Sequence, residues 1–219
     1  MTMVYNCHNN ITVMGRTMKN SFRVAADVFR ENNGILRWST ATSLGINAKT
    51  LSDMVEAGLL VREARGLYRL ADMEPPSHQD MVYVCQRVPD AVICLISALS
   101  FYELTTQIPF SVYIALPRAE KRVRPKIDYP PINVVWLTEK PYRAGIENKT
   151  VDGFNIRIYS REKTVADCFK FRNKIGTDVA VEALKEYVRS GKRDIPRLVE
   201  CARVDRVESV MLPYLEALA

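Results

Sequence analysis

The sequence predicts an α+β fold in two domains, and three observations support this prediction. Residues 18–70 alternate short amphipathic helical patterns with short β-rich runs, and turn residues separate them. The pair Pro75-Pro76 follows, and this composition, which interrupts both helices and strands, indicates a domain boundary. After it, amphipathic helical patterns flank runs rich in β-branched and aromatic residues. We therefore expect an N-terminal extension at residues 1–17, a first domain at 18–74, and a mixed α/β domain with a small sheet and several helices at 77–219.

The first domain opens with an amphipathic helix that begins at residue 18. The run Asn32-Asn33-Gly34 predicts its end, because glycine adopts the left-handed conformation that stops a helix. Residues 35–37 then form a short predicted strand. The apolar residues of the helix recur at intervals of three and four, which places them on one face: Met18, Phe22, Ala25, Ala26 and Phe29.

Two short helices joined by a tight turn are predicted next. Ser39 or Thr40 is a suitable N-cap for the first helix, since a side-chain oxygen there accepts a hydrogen bond from an otherwise unpaired backbone N–H. Gly45 supplies the left-handed residue that ends this helix. Asn47 is a suitable cap for the second helix, which Gly58 terminates.

A β-hairpin with a basic tip is predicted after these helices. Residues 59–64 and 67–70 are rich in strand-forming residues, and Arg65-Gly66 between them suits a sharp turn. Two short helices followed by a basic hairpin make a winged helix-turn-helix, in which the second helix lies in the major groove of DNA and the hairpin forms the wing. We therefore predict that residues 18–74 bind double-stranded DNA. The net charge of +6 agrees with an anionic partner, although a charge this small is common.

The candidate DNA-binding residues of the recognition helix are those of its first turns, where winged domains read bases. Lys49 can donate to guanine, and Asn47 can pair with adenine if its amide is not used for capping. Thr50 and Ser52 can each serve a base or a phosphate. The alternative for all of them is an ordinary solvated helix face.

Further candidates lie on the wing and at the start of the preceding helix. Arg62 and Arg65 can reach backbone phosphates or the minor groove, and Arg65 ranks first because it stands at the tip. Arg37 and Thr40 lie where a helix N-terminus attracts phosphate. A second basic run, at residues 118–126, is either a nucleic-acid or partner contact or, as is commoner, a solvated loop.

The second domain is predicted to combine helices with strands. Strands are expected at residues 111–116, 132–137 and 154–159. The expected helix that follows them has Ser160 as its N-cap. The full set of expected helices covers residues 80–87, 91–104, 160–171, 178–190 and 195–218.

Composition argues against several classes of site. The five cysteines are widely spaced, without a C-x-x-C pair, and predict reduced thiols rather than a disulfide framework. With only two histidines, no His/Cys group has the spacing of a zinc site, so we expect no metal and no cofactor. No apolar run reaches the ~20 residues that span a bilayer, and the polar N-terminus lacks the apolar core of a signal peptide. We therefore expect no membrane contact and a cytoplasmic location.

Enzymatic motifs are few. The sequence has no G-x-S-x-G, no G-x-x-x-x-G-K-[ST] and no G-x-G-x-x-G, so we expect no catalytic residues and no enzyme. One fragment is an exception: Asp90, Glu147 and Lys149 echo the P-D…E-x-K pattern of metal-dependent nucleases. Asp90, however, falls between two predicted helices instead of at a strand end. Asp167 is expected to be a satisfied polar residue near a helix start rather than a catalytic acid.

The order of these features resembles that of the AbiEi-type antitoxins of bacterial abortive-infection and toxin–antitoxin systems. The resemblance extends over roughly residues 18–190. The runs that carry it in the first domain are 34–36, 44–46, 51, 58–62 and 65–68, and those in the second domain are 96–99, 112–118 and 160–167.

The resemblance implies a repressor that binds inverted repeats at its own operon promoter, and an antitoxin that counteracts a co-encoded nucleotidyltransferase toxin. In this family the N-terminal winged domain binds DNA, and the C-terminal domain is implicated in antitoxicity and in cooperative repression. The extension at residues 1–17 departs from the family pattern. Two alternatives remain open: a stand-alone transcriptional regulator whose second domain senses a ligand, and a nuclease or modifying enzyme that the winged domain guides to DNA.

Overall fold

The computed structural model describes residues 19–118 and 123–218, and the predicted N-terminal extension lies outside them. The chain divides into two compact units, one that ends at Glu74 and one that begins at Pro75. Both units combine helices with strands, which confirms the predicted α+β class. Within the described ranges, no helix has the length and apolar character needed to cross a membrane.

The first unit has the element order of a winged helix-turn-helix. Its elements in chain order are α1 (Asn20–Glu31), β1 (Ile35–Arg37), α2 (Trp38–Ser43), α3 (Ala48–Glu56), β2 (Leu60–Ala64) and β3 (Leu67–Leu70). Strand β3 is the centre of the sheet, whose order is β1-β3-β2, and it pairs antiparallel with both neighbours.

The apolar face of α1 forms much of the core of the first unit. Phe29 has no exposed surface, and the buried Phe22, Ala25 and Ala26 confirm the predicted face, although Met18 lies outside the described residues. Complete burial of one such aromatic side chain contributes about 1.5–3 kcal/mol. The core therefore packs α1 against α3 and the sheet. The residues that α3 and the sheet contribute to it include Leu51, Met54, Leu60 and Leu70.

Of the two helix caps predicted in the first unit, the cap of α3 is present and the cap of α2 is not. Asn47 caps α3 as predicted. Helix α2, however, begins at Trp38, directly after β1, and Arg37 before it is extended and makes no side-chain capping bond. The prediction that Ser39 or Thr40 caps α2 is therefore wrong, because the strand runs into the helix without a capping turn.

The second unit packs helices around a mixed sheet. Its elements in chain order are α4 (Gln79–Arg87), β4 (Val92–Ile93), α5 (Leu95–Phe101), β5 (Val112–Pro117), β6 (Ile132–Leu137), α6 (Glu139–Arg143), β7 (Ile146–Val151), β8 (Phe154–Tyr159), α7 (Arg161–Lys170), α8 (Arg172–Ile175), α9 (Thr177–Arg189), α10 (Ile195–Asp205) and α11 (Glu208–Glu216). The strand order in the sheet is β6-β5-β4-β8-β7. The β5–β6 and β4–β8 pairs are parallel, whereas the β4–β5 and β7–β8 pairs are antiparallel. The strands predicted at residues 111–116, 132–137 and 154–159 are present as β5, β6 and β8.

The prediction of one helix over residues 91–104 is wrong. Val92 and Ile93 form the central strand β4, and the helix covers only Leu95–Phe101. Both strand residues have no exposed surface, because β4 pairs with a neighbour on each side and is covered on both faces. A strand buried in this way is apolar throughout, so its sequence does not differ from that of a buried helix.

The C-terminal helix and one edge strand also differ from the prediction. Residues 195–218 form two helices instead of one, since Arg206 has a φ of +60° and ends α10 before α11 begins. Strand β7 is not predicted, because its sequence (IENKTV) is mostly polar. It lies at the edge of the sheet, where one side of the strand faces solvent and polar residues are tolerated. The Ser160 cap of α7 is confirmed: its side chain accepts a hydrogen bond from the backbone N–H of Lys163.

A buried group of charges joins α7 to α10. The side chain of Lys163 is 0% exposed, and its Nζ lies 2.5 Å from Asp167 and 3.0 Å from Asp205. The half-exposed Lys170 also contacts Asp205, at 3.2 Å. Burial opposes the charged lysine, but the two carboxylates outweigh it and raise the pKa of Lys163. Burial raises the pKa of Asp167 to about 7, although Lys163 opposes that shift and Asp205 adds to it.

Removing the buried amine should destabilise the second unit. In Lys163→Met the carboxylates of Asp167 and Asp205 lose their shared cation, and loss of one partner from a buried ion pair typically costs about 3–5 kcal/mol. Urea unfolding followed through the fluorescence of Trp136 in β6, in a Trp38→Phe background, measures the change. The control is Lys170→Met, which leaves Lys163 in place and should cost much less. Equal losses for the two variants would contradict this account.

Candidate nucleic-acid interface

A side-chain cap fixes the start of the recognition helix α3. The side-chain oxygen of Asn47 accepts a hydrogen bond from the backbone N–H of Lys49 at 2.8 Å. Pairing with adenine uses both the oxygen and the nitrogen of an asparagine amide. Because the oxygen is occupied, the predicted reading of adenine by Asn47 competes with the cap.

The other candidates on α3 face away from the core to different degrees. Lys49 and Ser52 are exposed, and Thr50 is half-buried. The Lys49 side chain is 81% exposed, and its Nζ lies 3.2 Å from the Asp53 carboxylate one turn later. An exposed pair of this spacing contributes only about 0.3–0.5 kcal/mol. A phosphate or a base can therefore replace Asp53 as the partner of Lys49 at little cost.

The wing is an antiparallel hairpin with one irregularity. Leu60 pairs with Leu70 and Arg62 with Tyr68, and the register shifts between Arg62 and Ala64. Arg62 is two positions from the buried Leu60 on one strand, so both side chains project to the face of the sheet that carries the helical core. Arg62 is nevertheless exposed.

The tip of the wing is tied to the start of α2. Gly66 has a φ of +73°, in the left-handed region that favours glycine, and Arg65 before it is exposed. The backbone N–H of Trp38 donates a hydrogen bond to the carbonyl oxygen of Gly66 at 2.8 Å. Since Trp38 is the first residue of α2, the wing turn and the start of α2 form one continuous surface.

This surface contains one residue that sequence reasoning does not identify. The side chain of Trp38 is 47% exposed, which is uncommon for so large an apolar group. Arg37 precedes it and pairs with Leu67 at the end of β1. Thr40 is exposed on α2. The place of Trp38 beside the wing depends on the pairing of β1 with β3, which no local pattern specifies.

The arginines of the first unit divide into those with carboxylate partners and those without. Arg30 contacts Asp27 and Asp72, at 3.3 Å and 3.1 Å. Arg69 is held by Glu63, and it also donates to the carbonyl oxygens of Leu70 and Met73. Four other arginines make no ion pair within the described residues. One is Arg23, whose guanidinium donates a hydrogen bond to the side-chain oxygen of Asn20 at 3.0 Å. The other three have no side-chain partner in the described part of the chain, and they are predicted DNA contacts: Arg37, Arg62 and Arg65.

The fragment that echoes a nuclease site is not assembled as that pattern requires. Glu147 contacts Lys149 at 2.8 Å, Arg197 at 3.5 Å and the hydroxyl of Tyr102 at 3.4 Å. Asp90 is exposed in the turn between α4 and β4, and no ion pair or hydrogen bond of its side chain with Glu147 or Lys149 occurs in the described part of the chain. Nor do the described residues bring together three or more His, Cys, Asp or Glu side chains that could hold a metal ion.

The second basic run is described only in part. Residues 119–122 lie outside the described ranges. Of the remainder, Arg118 is exposed, whereas the guanidinium of Arg124 donates a hydrogen bond to the carbonyl oxygen of Ile132 at 2.6 Å. At least one cation of the run therefore has a structural partner within the second unit.

Residues 23–71 match the sequence model of a family described as "Transcriptional regulator, AbiEi antitoxin". This match confirms the resemblance to AbiEi antitoxins over the winged helix-turn-helix, and the family description names a regulator and an antitoxin and no enzyme. No curated protein matches the chain significantly.

A solved structure shares the fold. The crystal structure of the RV2827C protein from Mycobacterium tuberculosis superimposes with a TM-score of 0.54 at 13% sequence identity. The alignment covers 89% of this chain and 80% of that one. At this level of identity the likeness concerns the fold alone, and it extends to both units.

Substitutions at Asn47 should separate capping from base reading. Asn47→Ser keeps a capping oxygen and removes the amide nitrogen, so we expect duplex affinity close to that of the parent chain. Asn47→Ala removes the cap and should cost the first unit about 1 kcal/mol of stability. Fluorescence anisotropy of a labelled duplex and thermal unfolding measure the two effects. A loss of about fivefold or more in Asn47→Ser, with stability unchanged, would instead identify Asn47 as a base contact.

Proposed function

We propose that the first unit binds double-stranded operator DNA and that the chain is the autorepressing antitoxin of a toxin–antitoxin operon. The observation that carries the DNA-binding half is a set of three arginines that make neither an ion pair nor a side-chain hydrogen bond within the described residues. Arg62 and Arg65 lie on the wing, and Arg37 is the last residue of β1, which leads into α2. Cations that have no internal partner are available to phosphates, and each phosphate that they neutralise releases a counterion from the duplex.

The recognition helix supplies the second part of this interface. Lys49, Thr50 and Ser52 lie within the first turns of α3, the region that enters the major groove in winged domains. Lys49 and Ser52 are exposed there, while the cap at Asn47 fixes where the helix begins. Thr40 and Arg37, at the start of α2, are proposed to contact phosphate. The proposed DNA-binding site therefore has seven contact residues together with Asn47, which acts on it by capping α3.

Replacing Arg65 with alanine should weaken binding and change its salt dependence. Loss of one phosphate contact lowers the slope of log affinity against log salt concentration by about 0.9. The measurement is fluorescence anisotropy of a labelled duplex from the region upstream of the chain's own gene, titrated at several KCl concentrations.

Arg30→Ala is the matched control for that experiment. It removes the same charge from the same unit, but at a guanidinium already paired with Asp27 and Asp72. We expect the slope to stay close to that of the parent chain in this variant. An unchanged slope in Arg65→Ala, or an equal change in both variants, would rule out Arg65 as a phosphate contact.

The antitoxin half of the proposal rests on the family match. We propose that the chain acts in the cytoplasm, binds inverted repeats at its own promoter, and counteracts a co-encoded nucleotidyltransferase toxin through its second unit. Direct contact with the toxin is not required by this proposal.

Repression and antitoxicity should then be separable. The double variant Arg62→Ala, Arg65→Ala in the full chain should lose repression of a promoter reporter yet still rescue growth when co-expressed with the adjacent toxin. Reporter output and colony counts measure the two activities, at matched protein levels. Loss of both activities together, in a variant that remains folded, would contradict a division of labour between the units.

A stand-alone regulator with a ligand-sensing second unit is the second candidate. A cavity of about 280 Å³ opens beside the start of α4, and its lining includes His78, Asp80 and Ser100. One carboxylate oxygen of Asp80 is buried and has no hydrogen-bond partner within the described residues, which favours a cationic ligand. A nucleotidyltransferase gene beside this one favours the antitoxin, and its absence favours the ligand sensor.

A further inference from the structure

We infer that the indole of Trp38 packs against the sugar–phosphate backbone of duplex DNA beside the wing, as an apolar contact between the flanking arginines. This inference rests on the proposed function, because it places one more residue of the first unit on the same DNA. It concerns a kind of contact that differs from the others. The proposed arginines and Lys49 act through charge, whereas Trp38 acts through shape and apolar surface.

The exposure of Trp38 is combined with a rigid backbone. Its N–H donates to the Gly66 carbonyl at 2.8 Å, and its carbonyl oxygen accepts a hydrogen bond from the Thr42 hydroxyl at 3.0 Å. A Cβ atom built on Gly66 would lie 3.9 Å from the Cβ of Trp38, so the side chain starts directly beside the wing turn. Because these bonds hold the backbone of Trp38, a contact through its indole has to order only the two torsions of the side chain, at a low cost in conformational entropy.

The charges around Trp38 determine which partner fits. Arg37 precedes it in sequence and Arg65 adjoins the Gly66 turn, and neither forms an ion pair within the described residues. An apolar partner would leave these guanidinium groups desolvated without an acceptor, which is costly. A DNA backbone offers phosphates to the arginines and the apolar face of deoxyribose to the indole. The indole Nε1–H can in addition donate to a phosphate oxygen.

Trp38 can contact the backbone of a duplex, but it cannot stack on a base inside one. In a duplex each base is covered on both faces by its neighbours, so an aromatic side chain can stack only on a single strand or on an extruded base. Trp38 lies beside the wing turn, where the adjoining Arg65 is proposed to contact backbone phosphate. We therefore assign the deoxyribose and phosphate groups of double-stranded DNA as its partner.

The tryptophan content of the chain allows a direct test. Trp38 and Trp136 are its two tryptophans, and Trp136 lies in β6 of the second unit. In full-length Trp136→Phe, all tryptophan emission comes from Trp38. The duplex comes from the upstream region and carries a dye that does not accept energy from tryptophan. When the chain binds it, we expect the fluorescence anisotropy of the dye to rise and the emission of Trp38 to change over the same concentration range.

The outcomes of this titration distinguish the inference from the proposed function. A rise in anisotropy without any change in Trp38 emission overturns the inference and leaves DNA binding intact. No rise in anisotropy at all, with a folded chain, overturns the proposed function itself. The same titration with either single strand provides the third arm. Tighter binding and a larger change in Trp38 emission on the single strand would indicate base stacking instead of backbone contact.

Substitution gives an independent measurement. Trp38→Ala should weaken duplex affinity on the order of tenfold while leaving the salt slope unchanged, because no charge is lost. Trp38→Phe keeps an aromatic ring and should recover part of that loss. The control is Val24→Ala, which shortens another exposed apolar side chain of the same unit, on α1. Parent-like affinity in Trp38→Ala, or a changed salt slope, would contradict an apolar contact.

Discussion

The pairing of β3 with both β1 and β2 is the constraint on which the candidate interface depends. Without it the wing would be an isolated hairpin, and two-stranded hairpins are at best marginally stable in water. Because β1 leads directly into α2, the hydrogen bonds between β1 and β3 are followed by one more, from the backbone N–H of Trp38 to the carbonyl oxygen of Gly66. This bond joins the wing turn to the start of α2 and places the backbone of Arg65 next to that helix.

Cations occur in two contrasting environments in this chain. On the wing and on β1, Arg62, Arg65 and Arg37 have no side-chain partner within the described residues and favour an anionic partner. In the second unit, Lys163 is enclosed between Asp167 and Asp205 and holds α7 to α10. The net charge of the chain reveals neither arrangement, since what matters is whether each cation meets a carboxylate within its own unit. The expectation that Asp167 is a satisfied polar residue holds for one of its oxygens, while the other has no hydrogen-bond partner within the described residues.

Features that short stretches of sequence determine could be predicted. The buried face of α1, the Asn47 cap and the Arg65-Gly66 turn each follow from residues within one or two turns of chain. Features that depend on distant partners could not. Strand β4 is apolar because strands from elsewhere in the chain enclose it, so its sequence reads as helix. Trp38 lies beside the wing turn because β1 pairs with β3, and Lys163 is stabilised by a residue more than forty positions away.

We propose that α3 and the wing together bind duplex DNA. Hydrogen–deuterium exchange of the full chain, with and without the upstream duplex, tests it most directly. We predict slower exchange in residues 47–56 and 60–70 when the duplex is bound, with little change on the exposed side of α1. Protection confined to the second unit, in a chain that demonstrably binds the duplex, would contradict the account.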